Sequence, residues 1–419
     1  MLSVVTARKT PAFAYDCKLV LNPRVLHVVH LIEALGPGGA ERLLYTNLKQ
    51  FDRERVRSTV ITVYPHATHW LEPIKALGVP VVPLNCQNPR EIPKGIKNLR
   101  TWLRANKPDL IHSHLWAANI IGRIAGRLTR TPVISSIHNP DHEEQAWADG
   151  ADVSLTKRRI VRTLDRWTAN AGTDRLIAVS DYVKQSANRH LRVPLESIDL
   201  VYNPIDTDAL TDAPATSRAE LLRACGLPAD STILLNVARL SPQKGLVYAL
   251  RALPSIRKRF PSAHLVSVGA TTDPRWTEQL EREATELGVK DHFHVMGARR
   301  DVTDFLRACD VFIFPSLYEG LGIALIEAMA AGCACVASSA GPIPEVVSDG
   351  EDGILVPPAD SDAIAAAVCR LLEDESERMR LGTAARKTAF SRFQPQQSAD
   401  ALTRIYESVT GIRKNRGRK

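Results

Sequence analysis

From Val25 to Val356 the sequence keeps repeating one unit. A short apolar run is followed by a loop rich in Gly, Pro, Asn or His and then by an amphipathic helical stretch. Strand-like runs read at Val25–Leu31, Val56–Tyr64, Val79–Pro83, Leu110–His114, Pro132–His138, Arg175–Ser180 and Ile198–Val201. Helical patterns lie between them, among them Glu41–Leu48, Ile92–Asn106, Ala117–Leu128, Thr156–Asn170 and Asp181–Leu191. Continuous rather than alternating hydrophobicity marks strands covered on both faces, and repeated strand–helix crossovers imply a mostly parallel sheet.

The pattern breaks at Tyr202–Asp206, and residues 207–219 are rich in Ala, Thr, Asp and Pro, as a linker is. It then restarts with strands at Thr232–Val237, His264–Gly269, His292–Met296, Asp310–Phe314, Ala334–Ser338 and Gly353–Val356. The last helical segments, Ser376–Phe393 and Gln397–Val409, have no strand after them. The expected fold is therefore α/β, with two doubly wound Rossmann-like domains facing across a cleft. The divisions are an extension over 1–23, a first domain over 24–206, the linker, a second domain over 220–393, and a terminal helix with a basic tail over 394–419. Open sheets of this kind bind ligands beyond the carboxyl ends of their strands.

The stretch Phe314–Val336 (FPSLYEGLGIALIEAMAAGCACV) concentrates the chemistry. A strand ends at Pro315-Ser316, Glu319 stands in a loop, and Gly320 and Gly322 precede a helix that carries Glu327. The glycines would let a ligand reach bare backbone N–H groups at a helix N-terminus, where anions are favoured. The two carboxylates could accept from hydroxyls. This is the profile of a sugar nucleotide, although strand–loop–helix with glycine is also the ordinary unit of any α/β protein. The run Asn236–Gly245 (NVARLSPQKG) places Arg239 and Lys244 at another strand end, either as surface cations or as a diphosphate clamp. Gly36–Ala40 (GPGGA) follows the first strand without the G-x-G-x-x-G spacing, so it is either a tight turn or a loop that admits a diphosphate.

Composition bounds the rest. Residues 1–210 hold 28 Lys+Arg against 20 Asp+Glu, and residues 211–419 hold 26 of each. The first half is thus the candidate to meet an acidic partner, such as an anionic membrane face or a phosphorylated acceptor. No nucleic-acid-binding signature accompanies that charge. The seven cysteines are scattered, which fits free thiols in a reducing cytoplasm. No signal-peptide pattern is visible, and the longest apolar run, Gly320–Ala337, carries Glu327 at its middle and reads as core rather than membrane.

From about Arg24 to Ser408 the sequence resembles the retaining nucleotide-sugar glycosyltransferases of family 4, the glycosyl transferases group 1 set, which have the GT-B fold. The matching features are Arg239 and Lys244 in VARLSPQKG, the E-x7-E pair Glu319 and Glu327, and Gly341–Val347 (GPIPEVV). Asp349-Gly350 with Gly353–Val356, the Gly36–Ala40 loop, and Val179-Ser180 with Asn203–Asp206 also match. The resemblance implies an acceptor-binding first domain and a nucleotide-sugar-binding second domain. Glu327 is then expected on the ribose, Glu319 on the donor sugar, and the backbone N–H groups of Leu321, Gly322 and Ile323 on sugar hydroxyls and phosphate. Arg239 and Lys244 are expected on the departing diphosphate, Gly38 and Gly39 on the phosphates from the other domain, and His138 on the reacting sugar. Gly297–Arg300, with Arg299, is expected to line the base pocket. Of His112 and His114, one is expected to pack and one to line the acceptor cleft. His138 could instead be a strand-end histidine bonded to backbone.

No D-x-D stands where a metal would bridge the diphosphate, so no metal and no cofactor is expected there. Gly341-Pro342 replaces the usual Gly-Gly, reducing local backbone freedom. The terminal helix is expected to cross back onto the first domain. The function implied is transfer from a nucleoside-diphosphate sugar to a glycan, a polyprenyl-linked sugar or a small molecule, at the cytoplasmic face of the membrane, in surface polysaccharide or glycolipid synthesis. A sugar-nucleotide epimerase and a non-catalytic sugar-nucleotide-binding protein are the rival readings.

Overall fold

The computed structural model describes residues 24–144, 154–206, 216–271 and 273–416. The expected extension over 1–23 and most of the linker lie outside these residues. The first sheet comprises β1 (Leu26–Ile32), β2 (Val56–Thr62), β3 (Val81–Pro83), β4 (Leu110–His114), β5 (Val133–Ile137), β6 (Arg175–Ala178) and β7 (Ile198–Leu200). Its order is β3-β2-β1-β4-β5-β6-β7, and neighbouring strands run parallel. The crossovers carry α1 (Gly39–Gln50), α2 (Leu71–Ala76), α3 (Ile92–Asn106), α4 (Trp116–Thr129), α5 (Leu155–Gly172) and α6 (Asp181–Leu191).

The second sheet comprises β8 (Thr232–Val237), β9 (Ala263–Val268), β10 (Phe293–Val295), β11 (Val311–Phe314), β12 (Cys335–Ser338) and β13 (Ile354–Val356), in the order β10-β9-β8-β11-β12-β13 and again parallel. With it pack α7 (Arg218–Ala224), α8 (Leu246–Arg259), α9 (Pro274–Glu286), α10 (Val302–Ala308), α11 (Ile323–Ala331), α12 (Ile343–Val346), α13 (Ser361–Glu373), α14 (Glu375–Arg392) and α15 (Pro395–Arg416).

The strand runs are apolar because helices cover both faces. All four residues of β11 are buried, as are the four inner residues of β8. Each sheet reverses its direction of growth once, between β1 and β4 and between β8 and β11. A crevice opens at such a switch point, beyond the carboxyl ends of the strands. The loops that leave β1, β8 and β11 are the ones carrying Gly38, Arg239 and Glu319.

Helix α15 packs on the first sheet. Its Ala399, Leu402, Tyr406 and Val409 are buried among Leu26, Val28, Phe51 and Val56. Full burial of such side chains stabilises by about 1.5–3 kcal/mol each, enough to hold the strap in place. Ordered structure also begins inside the stretch that reads as linker. Ser217 caps α7 by accepting from the Glu220 backbone N–H, and the Glu220 carboxylate accepts from the Ser217 N–H. Residues 343–346, read only as part of a motif, form the short helix α12.

Candidate functional site

The loops after β8 and β11 are zipped together. Leu317 N donates to Gln243 O at 2.8 Å, and Gln243 Nε2 donates to Tyr318 O at 3.0 Å. This brings Lys244 Nζ to 2.7 Å from Glu319 Oε1, with Ser316 Oγ donating to the same oxygen at 2.7 Å. The expected cation and carboxylate thus meet in direct contact. Arg239, on the same side of β8, is exposed and makes no hydrogen bond or ion pair among the described residues. Its charge reaches Glu41 of the first domain, opposing the rise that burial causes in that carboxyl's pKa.

Helix α11 starts without a side-chain cap. Its N-cap is Gly322 at φ +97°, a left-handed conformation that an L side chain rarely adopts. Helix α1 also lacks a side-chain cap and starts after Gly38. A methyl group added at Gly39 would come within 3.3 Å of Ile323 Cδ1, so the two bare helix N-termini meet across the cleft. Both carry partial positive charge, and at α1 the Glu41 carboxylate already accepts from its own backbone N–H. An anion placed there would meet two helix ends, Lys244 and Arg239 together. The space beside Gly38 is taken by Glu41, whose Oε2 lies 2.3 Å from where a Cβ on that glycine would stand.

Glu327 sits one turn into α11 and is buried. Arg42 of α1 reaches it across the cleft, Nη1 to Oε1 at 2.5 Å. Burial pushes the Glu327 carboxyl above its usual pKa, and Arg42 opposes that shift. Arg42 was not singled out in the sequence. The signal was a cation in the first turn of a helix, where the dipole disfavours it unless an acid is near.

Gly320 touches the first domain. A Cβ there would fall 1.8 Å from the His138 carbonyl oxygen, and the Gly320 carbonyl accepts from Ser180 Oγ at 2.7 Å. Only glycine tolerates that approach. His138 is therefore brought beside the Glu319–Gly320 loop, and its ring faces His114, Nε2 to Nδ1 at 3.2 Å. Burial lowers the His138 pKa to about 4, so the ring is neutral. Both His112 and His114 are buried, which leaves neither lining an open acceptor cleft. Arg299 is not drawn into the cluster. It forms a bidentate pair with Asp301 and lies 5.5 Å over the Phe305 ring.

The GPIPEVV motif acquires a role that its sequence did not disclose. The Glu345 carboxylate accepts from the backbone N–H groups of Asp181 and Tyr182 at 2.8 and 2.7 Å, at the N-terminus of α6. It thereby fastens the second domain to the first. Pro342 precedes α12 and sits after Gly341 at φ +54°.

Two family descriptions match the chain: "Glycosyltransferase Family 4" over residues 37–209 and "Glycosyl transferases group 1" over residues 217–388. A D-inositol 3-phosphate glycosyltransferase of Xylanimonas cellulosilytica is 28% identical over 401 residues, which cover 92% of this chain and 91% of that one. The UDP-Gal:alpha-D-GlcNAc-diphosphoundecaprenol alpha-1,3-galactosyltransferase of Escherichia coli is 30% identical over 306 residues, covering 70% and 74%. Among solved structures, Anabaena HepE in complex with UDP-glucose superposes with a TM-score of 0.78 at 23% identity, covering 91% of this chain and all of that one. At that identity the likeness establishes the fold.

Proposed function

Since this chain belongs to the group 1 glycosyltransferases of family 4, we propose that it moves a sugar from a nucleoside-diphosphate donor with retention at the anomeric carbon and without a metal on the diphosphate. The observation that carries this is the meeting of two uncapped helix N-termini beside Lys244 and Arg239. Preorganised positive charge at that point lowers the energy of the departing diphosphate as its charge develops.

In this reading Glu327 takes the ribose hydroxyls, and Arg42 opposes the protonation that burial favours until it does. Glu319 orients the donor sugar and is kept in place by Ser316. Lys244 exchanges its contact with Glu319 for the diphosphate. The backbone N–H groups of Leu321, Gly322 and Ile323 hold the phosphates with Gly38 and Gly39 opposite. Neutral His138 contacts the sugar. The leaving group departs and the acceptor attacks on the same face. The donor named for the E. coli relative and the ligand named for HepE support a uridine diphosphate sugar.

The acceptor we assign to the first domain is a sugar on a polyprenyl carrier, met at an anionic membrane face. Helix α5 supports this. It exposes Leu155, Ile160 and Trp167 together with Lys157, Arg159 and Arg162, and Leu128 of α4 is exposed as well. Among the described residues no helix is long and apolar enough to cross a membrane, so the contact is peripheral. The place of the enzyme is then the cytoplasmic surface, in polysaccharide or glycolipid assembly.

The test is a panel of nucleoside-diphosphate sugars with the purified chain, scored by nucleoside diphosphate release and by the anomeric configuration of the product. Release in the presence of chelator and a retained configuration are expected. An inverted product contradicts the mechanism, and a donor altered without an acceptor points to the epimerase.

A further inference from the structure

The first sheet gathers histidines behind the cleft. His30 of β1 and His112 of β4 are register partners on adjacent strands, and His114 lies two residues further along β4, on the same face. All three are buried. Each ring is held through one nitrogen. Ser58 Oγ lies 3.2 Å from His30 Nε2, Ser136 Oγ lies 2.8 Å from His112 Nε2, and His138 Nε2 lies 3.2 Å from His114 Nδ1.

The opposite nitrogens of His30 and His114 are left over, and that of His112 is engaged by the terminal helix. Among the described residues His30 Nδ1 and His114 Nε2 are buried with no hydrogen-bond partner, and His112 Nδ1 meets the Tyr406 hydroxyl of α15 at 2.7 Å. A buried polar atom without a partner is costly and calls for an occupant. One nitrogen from each ring lies within 4.8 Å of the other two. The ring centroids are 4.1, 5.8 and 6.3 Å apart. Three imidazoles on one tetrahedral ion, with bonds of about 2.0–2.1 Å, need nitrogens about 3.4 Å apart. Side-chain rotations of an ångström or so therefore close the shell.

We propose that His30, His112 and His114 hold a divalent transition-metal ion of the zinc class, with the Tyr406 oxygen at the fourth position. Imidazole ligands with no carboxylate in the group favour zinc and its neighbours over magnesium or calcium. Fixing each ligand through its other nitrogen is how protein metal sites set ring tautomer and direction. The ion ties the terminal strap to the first sheet and fixes His114 behind His138. The ion is not assigned to the diphosphate, so the metal-free departure of the leaving group is a separate matter.

The experiment is chelator-stripped full-length protein dialysed against Zn²⁺ alone, with the bound metal measured by elemental analysis, and against Co²⁺ for its visible absorption. We expect equimolar zinc, the absorption of four-coordinate cobalt and a thermal midpoint raised by Zn²⁺. His30→Phe keeps an aromatic ring beside Phe51, whose ring is stacked 5.7 Å away, and should lose the metal while retaining nucleotide binding. Tyr406→Phe should weaken binding on the order of 10–100-fold and alter the cobalt spectrum. No metal above background in the parent chain, or equal uptake by His30→Phe, overturns the proposal and leaves a cluster filled by water alone. Should His30→Phe not fold, an unchanged cobalt spectrum and affinity in Tyr406→Phe overturn it equally.

Discussion

Arg42 Nη1 lies 2.5 Å from Glu327 Oε1, and the two residues belong to different domains. The carboxylate assigned to the ribose is thus charge-paired by the domain opposite. Burial alone favours its protonated form, and Arg42 opposes this. In Arg42→Ala the Glu327 pKa should rise further. The acid limb of the kcat/KM profile should then move to higher pH. Donor KM should rise, with a smaller effect on kcat. A pH–rate series on both enzymes reads this directly.

Lys244 and Glu319 are each largely shielded from solvent, at 15% and 8% side-chain exposure. Removing one strands the other. Lys244→Ala should lower kcat by about 10²–10³-fold, as loss of a group that stabilises transition-state charge does. A double-mutant cycle with Glu319→Gln should show coupling of about 1–3 kcal/mol in thermal stability, and additivity would mean that the two are independent.

Glu345 joins the domains mainly through backbone, with the Tyr202 hydroxyl as a longer side-chain donor at 3.4 Å. Glu345→Ala leaves the N–H groups of Asp181 and Tyr182 without their acceptor at the start of α6. The expected loss is about 1–2 kcal/mol, seen as a lower thermal midpoint, together with a higher donor KM. Glu345→Gln should recover part of the stability.

How these contacts arise explains what the sequence did and did not disclose. The strands were legible because a doubly covered strand is apolar throughout, as Val311–Phe314 is. Glu319 and Lys244 were legible because each ends a strand beside a glycine. Arg42 and Glu345 act on partners far away in the chain, and no local period encodes such a pairing. The spacing of His112 and His114 places them on one face, but only the pairing of β1 with β4 adds His30. The capping box Ser217-Arg218-Ala219-Glu220 was readable, yet the Ala- and Thr-rich stretch before it masked the helix start.

His264 gives the second domain a pH dependence of its own. Burial, then the charges of His292 and His294, push its pKa down to about 4. A lowered pKa means that the unfolded chain binds the proton more readily than the folded one. This contribution to stability is therefore whole above the ordinary value near 6.5 and is lost as pH falls from there through 4. Allowing for solvent screening, roughly 1–2 kcal/mol is involved. Urea unfolding at pH 7 and pH 4.5 should show the loss, and His264→Leu should reduce it.

The membrane contact through α5 should be electrostatic in its range and apolar in its grip. Trp167→Ser and Arg162→Glu should each reduce flotation with anionic vesicles, and added salt should reduce the parent's binding. Parent protein that washes off anionic vesicles at low salt contradicts the assignment.

The most direct measurement is calorimetric binding of UDP and a UDP-sugar to the parent chain, Arg239→Ala and Glu327→Ala. Each variant should bind at least about tenfold more weakly, the loss of one charge-assisted contact. Affinity unchanged in both variants would contradict a donor seated between the two helix ends.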